Sequence, residues 1–410
     1  MRILVRAAQD PRTVLEPMES SHRMGGNSGN LLYANAVVRA LSTRWTRIDT
    51  GGFDAHTQED PSKFIKDVNR TYDHYVVPLA NVFRSGFTDK LVKMTEIIRR
   101  LEIPVTVVGI GAQTTVTAAE SDELRMTKTG KTRVPDEEVA RRHDQVVRTF
   151  VETVLERSAT FGVRGEVTKR YLVSLGIPDE RVTVIGCPSL FTWGSDLRIE
   201  KTPGPLTRES RISMNVDYRV KGMADVVELN SELYPELTSP VQDSKSARMI
   251  ITGVDKYDMS KFDSRLPIHT GHRLYKERRL VFYPSPWGWI ESFKSQRFAF
   301  GTRLHGNIAA LLAGTPVHLL AHDSRTLELA RYHAIPHSLL SDFEKPPSAA
   351  ELWERTDVEP FNQLQPERFR NYLDFMHTNG LRTVFDKDRS PRGFDRKIAE
   401  GQRTGPVLPQ

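Results

Sequence analysis

The feature that most constrains this chain is a regular alternation of short apolar runs with longer amphipathic stretches. Runs rich in β-branched residues occur at Tyr75 to Pro78, Val105 to Ile110 and Val182 to Ile185. They are bounded by polar and glycine residues and read as strands buried on both faces. Between them lie stretches of helical spacing at Asn30 to Leu41, Asp89 to Leu101, Asp136 to Arg157 and Val167 to Leu175. In the third of these, Val146, Val147, Phe150, Val151, Val154 and Leu155 make one apolar face. Strand and helix in strict alternation predict an α/β fold with a parallel sheet.

The alternation starts again past the middle of the chain, at Ile212 to Val216, Leu280 to Tyr283, Phe298 to Phe300 and Val317 to Leu320. A chain of 410 residues exceeds what one core sustains, roughly 250 to 300. The expectation is therefore two Rossmann-like domains facing a cleft: residues 1–195, a Pro- and Gly-containing linker at 196–210, and residues 211–345. Residues 346–410 add helical material, notably Pro366 to Phe385, and end in a basic tail that is a candidate for disorder. The polar, threonine-rich segment 115–134 reads as a surface loop.

Charge and cysteine content narrow the function classes. Lys plus Arg number 58 against 52 Asp plus Glu, a net +6 of which +3 lies in residues 381–410. So small an excess, without interleaved aromatics, gives no nucleic-acid surface. The lone Cys187 cannot close an intramolecular disulfide, which fits a reducing compartment. The N-terminal MRILVRAAQD, interrupted by Arg6, lacks a secretory pattern, and no run of about 18 apolar residues occurs. A cytoplasmic chain is expected, with association at the inner face of a membrane and oligomeric state left open.

Four segments could carry chemistry. Gly25-Gly26-Asn27-Ser28-Gly29-Asn30 leads straight into a helix, where free backbone N–H groups suit an anion or a sugar oxygen; an Asn or Ser cap with no ligand is the plain alternative. Pro104 to Gln113 (PVTVVGIGAQ) puts a Gly-x-Gly turn at a strand's carboxyl end, where parallel sheets place ligands, and Asn81 and Arg84 follow an earlier strand. Arg164 stands where the strand Phe161 to Val163 meets the next helix; it can grip a carboxylate or phosphate, or pair locally with Glu166. Phe298 to Pro316 (FAFGTRLHGNIAALLAGTP) brings Arg303 and His305 to a strand end and a helix start, an anion site beside a titratable imidazole. His318, His322 and His333 match no metal spacing, so neither metal nor cofactor is expected. Trp287-Gly288-Trp289 is a sugar-stacking rim or a packed loop. Cys187, with no base near it in sequence, reads as a small buried group.

Taken together, GGNSGN, PVTVVGIGAQ, FGVRGEVTKRYLVSLGI running into VTVIGCPSLF, and FGTRLHGNIAALLAGTPV followed by HDSRTLELARYHAIP resemble the polysaccharide pyruvyl transferase family. The resemblance implies a GT-B-like pair of domains, phosphoenolpyruvate as donor, and a sugar acceptor, free or lipid-linked, that becomes a pyruvate ketal. It assigns Arg303, Leu304 and His305 to the donor site, with Arg164 reaching it from the other domain; ketal formation needs a group that serves as acid and base in turn, which makes His305, with Arg303, the expected catalytic pair. Asn27, Ser28, Asn30, Asn81 and Gln113 would line the cleft on the acceptor side. Asn30 stands where the family commonly has an acid. Two other readings fit the same residues: a GT-B glycosyltransferase using a nucleotide sugar, and a non-catalytic sugar- or anion-binding homologue.

Overall fold

The computed structural model describes residues 1–112, 137–387 and 390–410. The threonine-rich segment and Gln113 lie outside them.

The first sheet uses β1 (Arg2–Ala7), β2 (Arg47–Gly52), β3 (His74–Pro78) and β4 (Val105–Val108), all parallel, in the order β2-β1-β3-β4. A parallel bridge from Ile110 to Val163 extends it to β5 (Phe161–Val163) and β6 (Val182–Val184). The second sheet has β12 (His337–Leu339), β11 (Val317–Ala321), β10 (Phe298–Gly301) and β7 (Ile212–Asn215), again parallel. Through the Ser213–Thr238 bridge it continues to β8 (Ser239–Pro240) and β9 (Leu280–Val281). Counted from β7, that order is 3-2-1-4-5-6, the doubly wound arrangement whose ligand crevice opens where the order reverses, between β7 and β10. In the first sheet the reversal falls between β1 and β3.

The strand and helix positions expected from periodicity are present. The central strand β1 was not among them, because Arg6 interrupts its apolar run. The arginine is accommodated at the strand's carboxyl end, only 5% exposed, with its guanidinium donating to the Phe53 carbonyl and lying 4.5 Å from the Phe53 ring centroid. That cation–π contact and hydrogen bond offset the burial of the charge.

The two sheets do not meet as loosely tethered bodies. Helix α1 (Gly29–Leu41) follows the glycine-rich loop, and its Leu32, Tyr33, Val37 and Leu41 share one apolar core with Ile308 and Leu311 of the second domain. The same core takes in Phe361, Phe369, Tyr372 and Phe375 from the C-terminal segment. Residues 196–210 are held as well. Leu197 and Ile199 are buried, and the Asn362 side-chain amide pairs with both the N–H and the carbonyl of Ile199.

The C-terminal helix runs from Glu359 to Thr378, starting before Pro366 and ending before Phe385. Pro366 is therefore interior, where proline costs about 3 kcal/mol, and burial of Phe361, Phe369, Tyr372 and Phe375 outweighs it. After it the chain returns to the first domain, with the Val384 N–H donating to the Ala40 carbonyl. Arg39 then grips Asp395 in the helix Arg392–Arg403. The end of the chain is ordered too: Val407 and Phe282 exchange backbone hydrogen bonds. A basic amphipathic tail with Phe394 and Ile398 on one face can bury that face, which its low overall hydropathy conceals. Trp287 and Trp289 belong to this seam, at 3% and 1% exposure, so the Trp-Gly-Trp segment packs as core and forms no rim.

Candidate functional site

Strand β10 ends in Gly301, whose φ is +132° and whose absent Cβ lets the chain pass against the Asn215 backbone at the end of β7. Only glycine allows that approach. The turn that follows is fixed to β7: Thr302 N–H donates to the Asn215 carbonyl and Arg303 N–H to the Asn215 side-chain oxygen at 2.8 Å. Arg303 then starts helix α2 (Leu304–Leu312) at the mouth of the crevice. Its Nε donates to the Val216 carbonyl at 3.1 Å and stands 4.0 Å from Asp217. Burial works against the Asp217 charge, but the Arg219 fork and the nearby Arg303 hold its carboxyl far below the usual range.

His305 lies in the first turn of α2 and meets the first domain at Gly29. A Cβ there would fall 2.7 Å from the His305 Cβ, so the last glycine of the GGNSGN loop is what admits the imidazole. The loop itself is stitched to the second domain: Ser28 N–H donates to the Gln242 carbonyl, and Asn27 pairs with Asp243. The Asn27 side chain accepts from Gly29 N–H, and the Asn30 amide donates to the Gly25 carbonyl at 2.9 Å. Both side chains thus serve the loop's own geometry. Asn81 follows β3 beside Ala80, whose carbonyl accepts from Gly111 N–H.

Arg164 begins the turn after β5, 4% exposed, with Nε donating to the Gly109 carbonyl at 2.6 Å. Its guanidinium lies 5.8 Å from the Tyr33 ring centroid, and the Tyr33 ring lies 6.0 Å from that of His305. One of its terminal nitrogens, Nη2, is buried without a partner among the described residues. An unsatisfied charged donor of this kind costs a few kcal/mol, which an anionic ligand would recover.

These charges set the state of the histidine. Burial first, then the positive charges of Arg164 and Arg325, pull His305 down to about 3, so it is neutral at neutral pH in the free protein. It does not titrate near neutrality there, contrary to what its residue type suggests. The imidazole Nε2 stands 3.8 Å from the Cys187 sulfur, and the Cys187 N–H donates to Nε2 of His333 at 2.9 Å. No sequence-local signal placed two histidines around that cysteine, because His305 and His333 come from the other half of the chain.

Several site residues lay outside the sequence candidates. Arg325 pairs with Asp323 at the start of helix α3 (Ser324–His333), and Arg219 pairs with Asp217. Arg84 senses both arginines: burial, then Arg325 and Arg219, lower it. The cleft is thus approached by arginines from both domains. Among the described residues no group of three His, Cys, Asp or Glu side chains could hold a metal ion. No helix there is long and apolar enough to cross a membrane.

Two parallel-sheet domains, with arginines and a histidine on carboxyl-end loops, define a two-domain α/β protein with a candidate anion site where its halves meet. The model of the polysaccharide pyruvyl transferase family matches residues 27–324. The chain belongs to that family, and is a transferase of polysaccharide biosynthesis by that membership. No curated protein matches the chain. Among solved structures, Anabaena HepE in complex with UDP and glucose is similar at 11% identity and TM-score 0.40, over 98% of each chain. The UDP-GlcNAc 2-epimerase from Neisseria meningitidis bound to UDP-GlcNAc has 11% identity and TM-score 0.40, over 92% of this chain and 100% of that one. The glycotransferase of kitacinnamycin has 10% identity and TM-score 0.36, over 97% and 98%.

Proposed function

We propose that the chain transfers the pyruvyl group of phosphoenolpyruvate to a sugar of a polysaccharide or glycolipid precursor, forming a pyruvate ketal. The observation that carries this reading is the unspent Nη2 of buried Arg164, whose charge acts on His305 in the first turn of the helix that Arg303 starts. A donor bearing both a carboxylate and a phosphate matches arginines approaching from two sides, since each guanidinium can take two oxygens.

Binding such an anion changes the histidine. Burial is the larger cause of the His305 depression, and the donor's negative charge would offset the smaller part that Arg164 and Arg325 add, shifting the imidazole back toward its protonated form. In that form His305 delivers a proton to the donor's methylene carbon, leaving an oxocarbenium-like centre at the carbon bearing the phosphate. A sugar hydroxyl attacks that carbon and loses its proton to the neutral imidazole. The carbon–oxygen bond to phosphate breaks with its electron pair leaving on phosphate, and a second hydroxyl closes the ring, its proton passing to the departing phosphate. The donor carries its own leaving group, so the reaction calls for no cofactor. The glycine-rich loop, at Asn27, Ser28 and Asn30, and Asn81 beyond β3, would bound the acceptor side.

Calorimetric titration with phosphoenolpyruvate and with a panel of nucleotide sugars tests the donor class. Binding of phosphoenolpyruvate alone supports the reading; binding of a nucleotide sugar alone overturns it in favour of a glycosyltransferase. His305→Ala is expected to lower turnover by about a hundredfold or more, the usual weight of a positioned acid–base group. Near-normal turnover in that variant removes His305 from the chemistry.

A further inference from the structure

One buried carboxylate spans the two domains and has no part in the steps above. Glu328 stands in the second turn of α3, 5% exposed, and leaves its own domain to reach helix α4 (Glu166–Ser174) of the first. There it accepts from the Thr168 N–H at 3.1 Å and from the Thr168 hydroxyl at 2.9 Å. The same hydroxyl accepts from Ala112 N–H at 3.0 Å. Glu328 therefore satisfies a free N–H in the first turn of a helix that belongs to the opposite domain.

The surroundings are shaped for it. A Cβ at Gly165 would come within 2.6 Å of the Glu328 carboxylate, and one at Gly111 would lie 3.1 Å from the Arg164 side chain and 3.5 Å from Glu328. Glu328, Arg164 and the start of α4 thus occupy one small volume, kept open by two glycines. Arg164 is the residue immediately before Gly165. A strut that fixes Gly165 to Thr168 also fixes the backbone from which Arg164 projects.

We infer that Glu328 is a positioning residue of the donor site: from the second domain it locks the turn carrying Arg164 and supplies a counter-charge that an incoming anion displaces. This rests on the donor reading above. The charges that act on Glu328 are Arg164 from the first domain and Asp323 at the start of its own helix; that helix also carries Arg325 and Arg331 three residues to either side, α4 opens with Glu166, and residues 109–112 bring none. Burial raises its carboxyl to about 7, helped by Asp323 and opposed by the Thr168 hydrogen bonds and Arg164. An anion on Arg164 raises it further, so donor binding takes up a proton at Glu328, and affinity for the donor improves as pH falls through neutrality. A glutamine can still accept the Thr168 N–H but has no charge to displace.

The test compares wild type, Glu328→Gln and Glu328→Ala in calorimetric binding of phosphoenolpyruvate from about pH 6 to pH 8, with hydrogen exchange at the Thr168 amide. Glu328→Ala is expected to weaken binding about tenfold and to speed exchange at Thr168, since it orphans that donor. Glu328→Gln should keep Thr168 protected and lose the part of the pH dependence that Glu328 supplies, while proton uptake at His305 remains. Wild-type affinity and pH profile in both variants would overturn the inference. If wild type does not bind phosphoenolpyruvate, the donor reading falls, and exchange at Thr168 in Glu328→Ala, faster or unchanged, decides the strut by itself.

Discussion

Arg164 and Arg303 come from opposite domains and each commits its Nε to a backbone carbonyl, and they differ in what surrounds the rest of the guanidinium. Arg303 donates its Nε to the Val216 carbonyl and has the Asp217 carboxylate 4.0 Å away. Arg164 donates its Nε to Gly109 but keeps a buried Nη2 without a partner among the described residues. A buried donor without a partner has a cost that a ligand relieves, and Arg303 carries no such buried donor among the described residues. Sequence assigned Arg303 the larger role, catalytic as well as donor-binding; the buried, unpartnered Nη2 makes Arg164 the stronger candidate for gripping an anion.

The sharpest way to break that comparison is to replace each by lysine. Arg164→Lys is expected to weaken phosphoenolpyruvate binding by roughly thirtyfold or more, the worth of a charge-assisted, two-pronged contact in a desolvated site. Arg303→Lys should cost about fivefold, since lysine keeps the charge near Asp217 and loses chiefly the Val216 contact. Equal losses in the two titrations would erase the distinction.

A second prediction concerns the contact that brings the two halves together. In Gly29→Ala the new methyl must push His305 aside, which is expected to cost about 1 to 3 kcal/mol of stability and to lower turnover, read by denaturant midpoint and steady-state rate. An unchanged rate would show that the imidazole position is not set by the glycine loop.

A third asks whether the seam and sheets are as dry as the packing indicates. His74 is pulled down to about 4, and His318 and His333 to about 3, by burial. Their unfolded values lie near 6.5, so between about pH 6.5 and 4 the unfolded chain binds protons that the folded chain refuses. Stability is therefore expected to fall with pH in that window by up to about 1.4 kcal/mol per unit for each histidine. Urea midpoints at neutral and mildly acid pH check this, and His318→Gln should remove one histidine's share. A flat profile would contradict the burial.

The smallest expected effect is at Asn30. Its amide donates to the Gly25 carbonyl, which a carboxylate cannot do, so Asn30→Asp should cost about 1 kcal/mol of stability without raising turnover. A gain in rate would show that this place wants an acid after all.

How much of this was legible in the sequence depends on range. The strands at Tyr75, Val105 and Phe298 and the helix after Asn30 follow from local periodicity, and local periodicity is what the chain uses to form them. The turn holding Arg303 and His305 was visible because glycine, arginine and histidine stand together at a strand end. β1 was missed because Arg6 breaks its pattern, and its compensation by Phe53 is 47 residues away. Glu328 and the pair of histidines around Cys187 were hidden for the same reason: their partners are 160, 118 and 146 residues distant. The ordered C-terminal segment was masked by its charge, since Arg392, Arg396 and Lys397 obscure the apolar face formed by Phe394 and Ile398.

The central claim is that a donor's pyruvyl group moves to a sugar in this cleft. The most direct measurement is phosphate release from phosphoenolpyruvate with a panel of candidate sugar acceptors, alongside mass spectrometry of the acceptors. The account predicts phosphate release that depends on one acceptor, with that acceptor gaining the mass of a pyruvic acid less one water, and loss of both signals in His305→Ala. Phosphate release without an acceptor product, or an acceptor that gains a hexose from a nucleotide sugar instead, would contradict it.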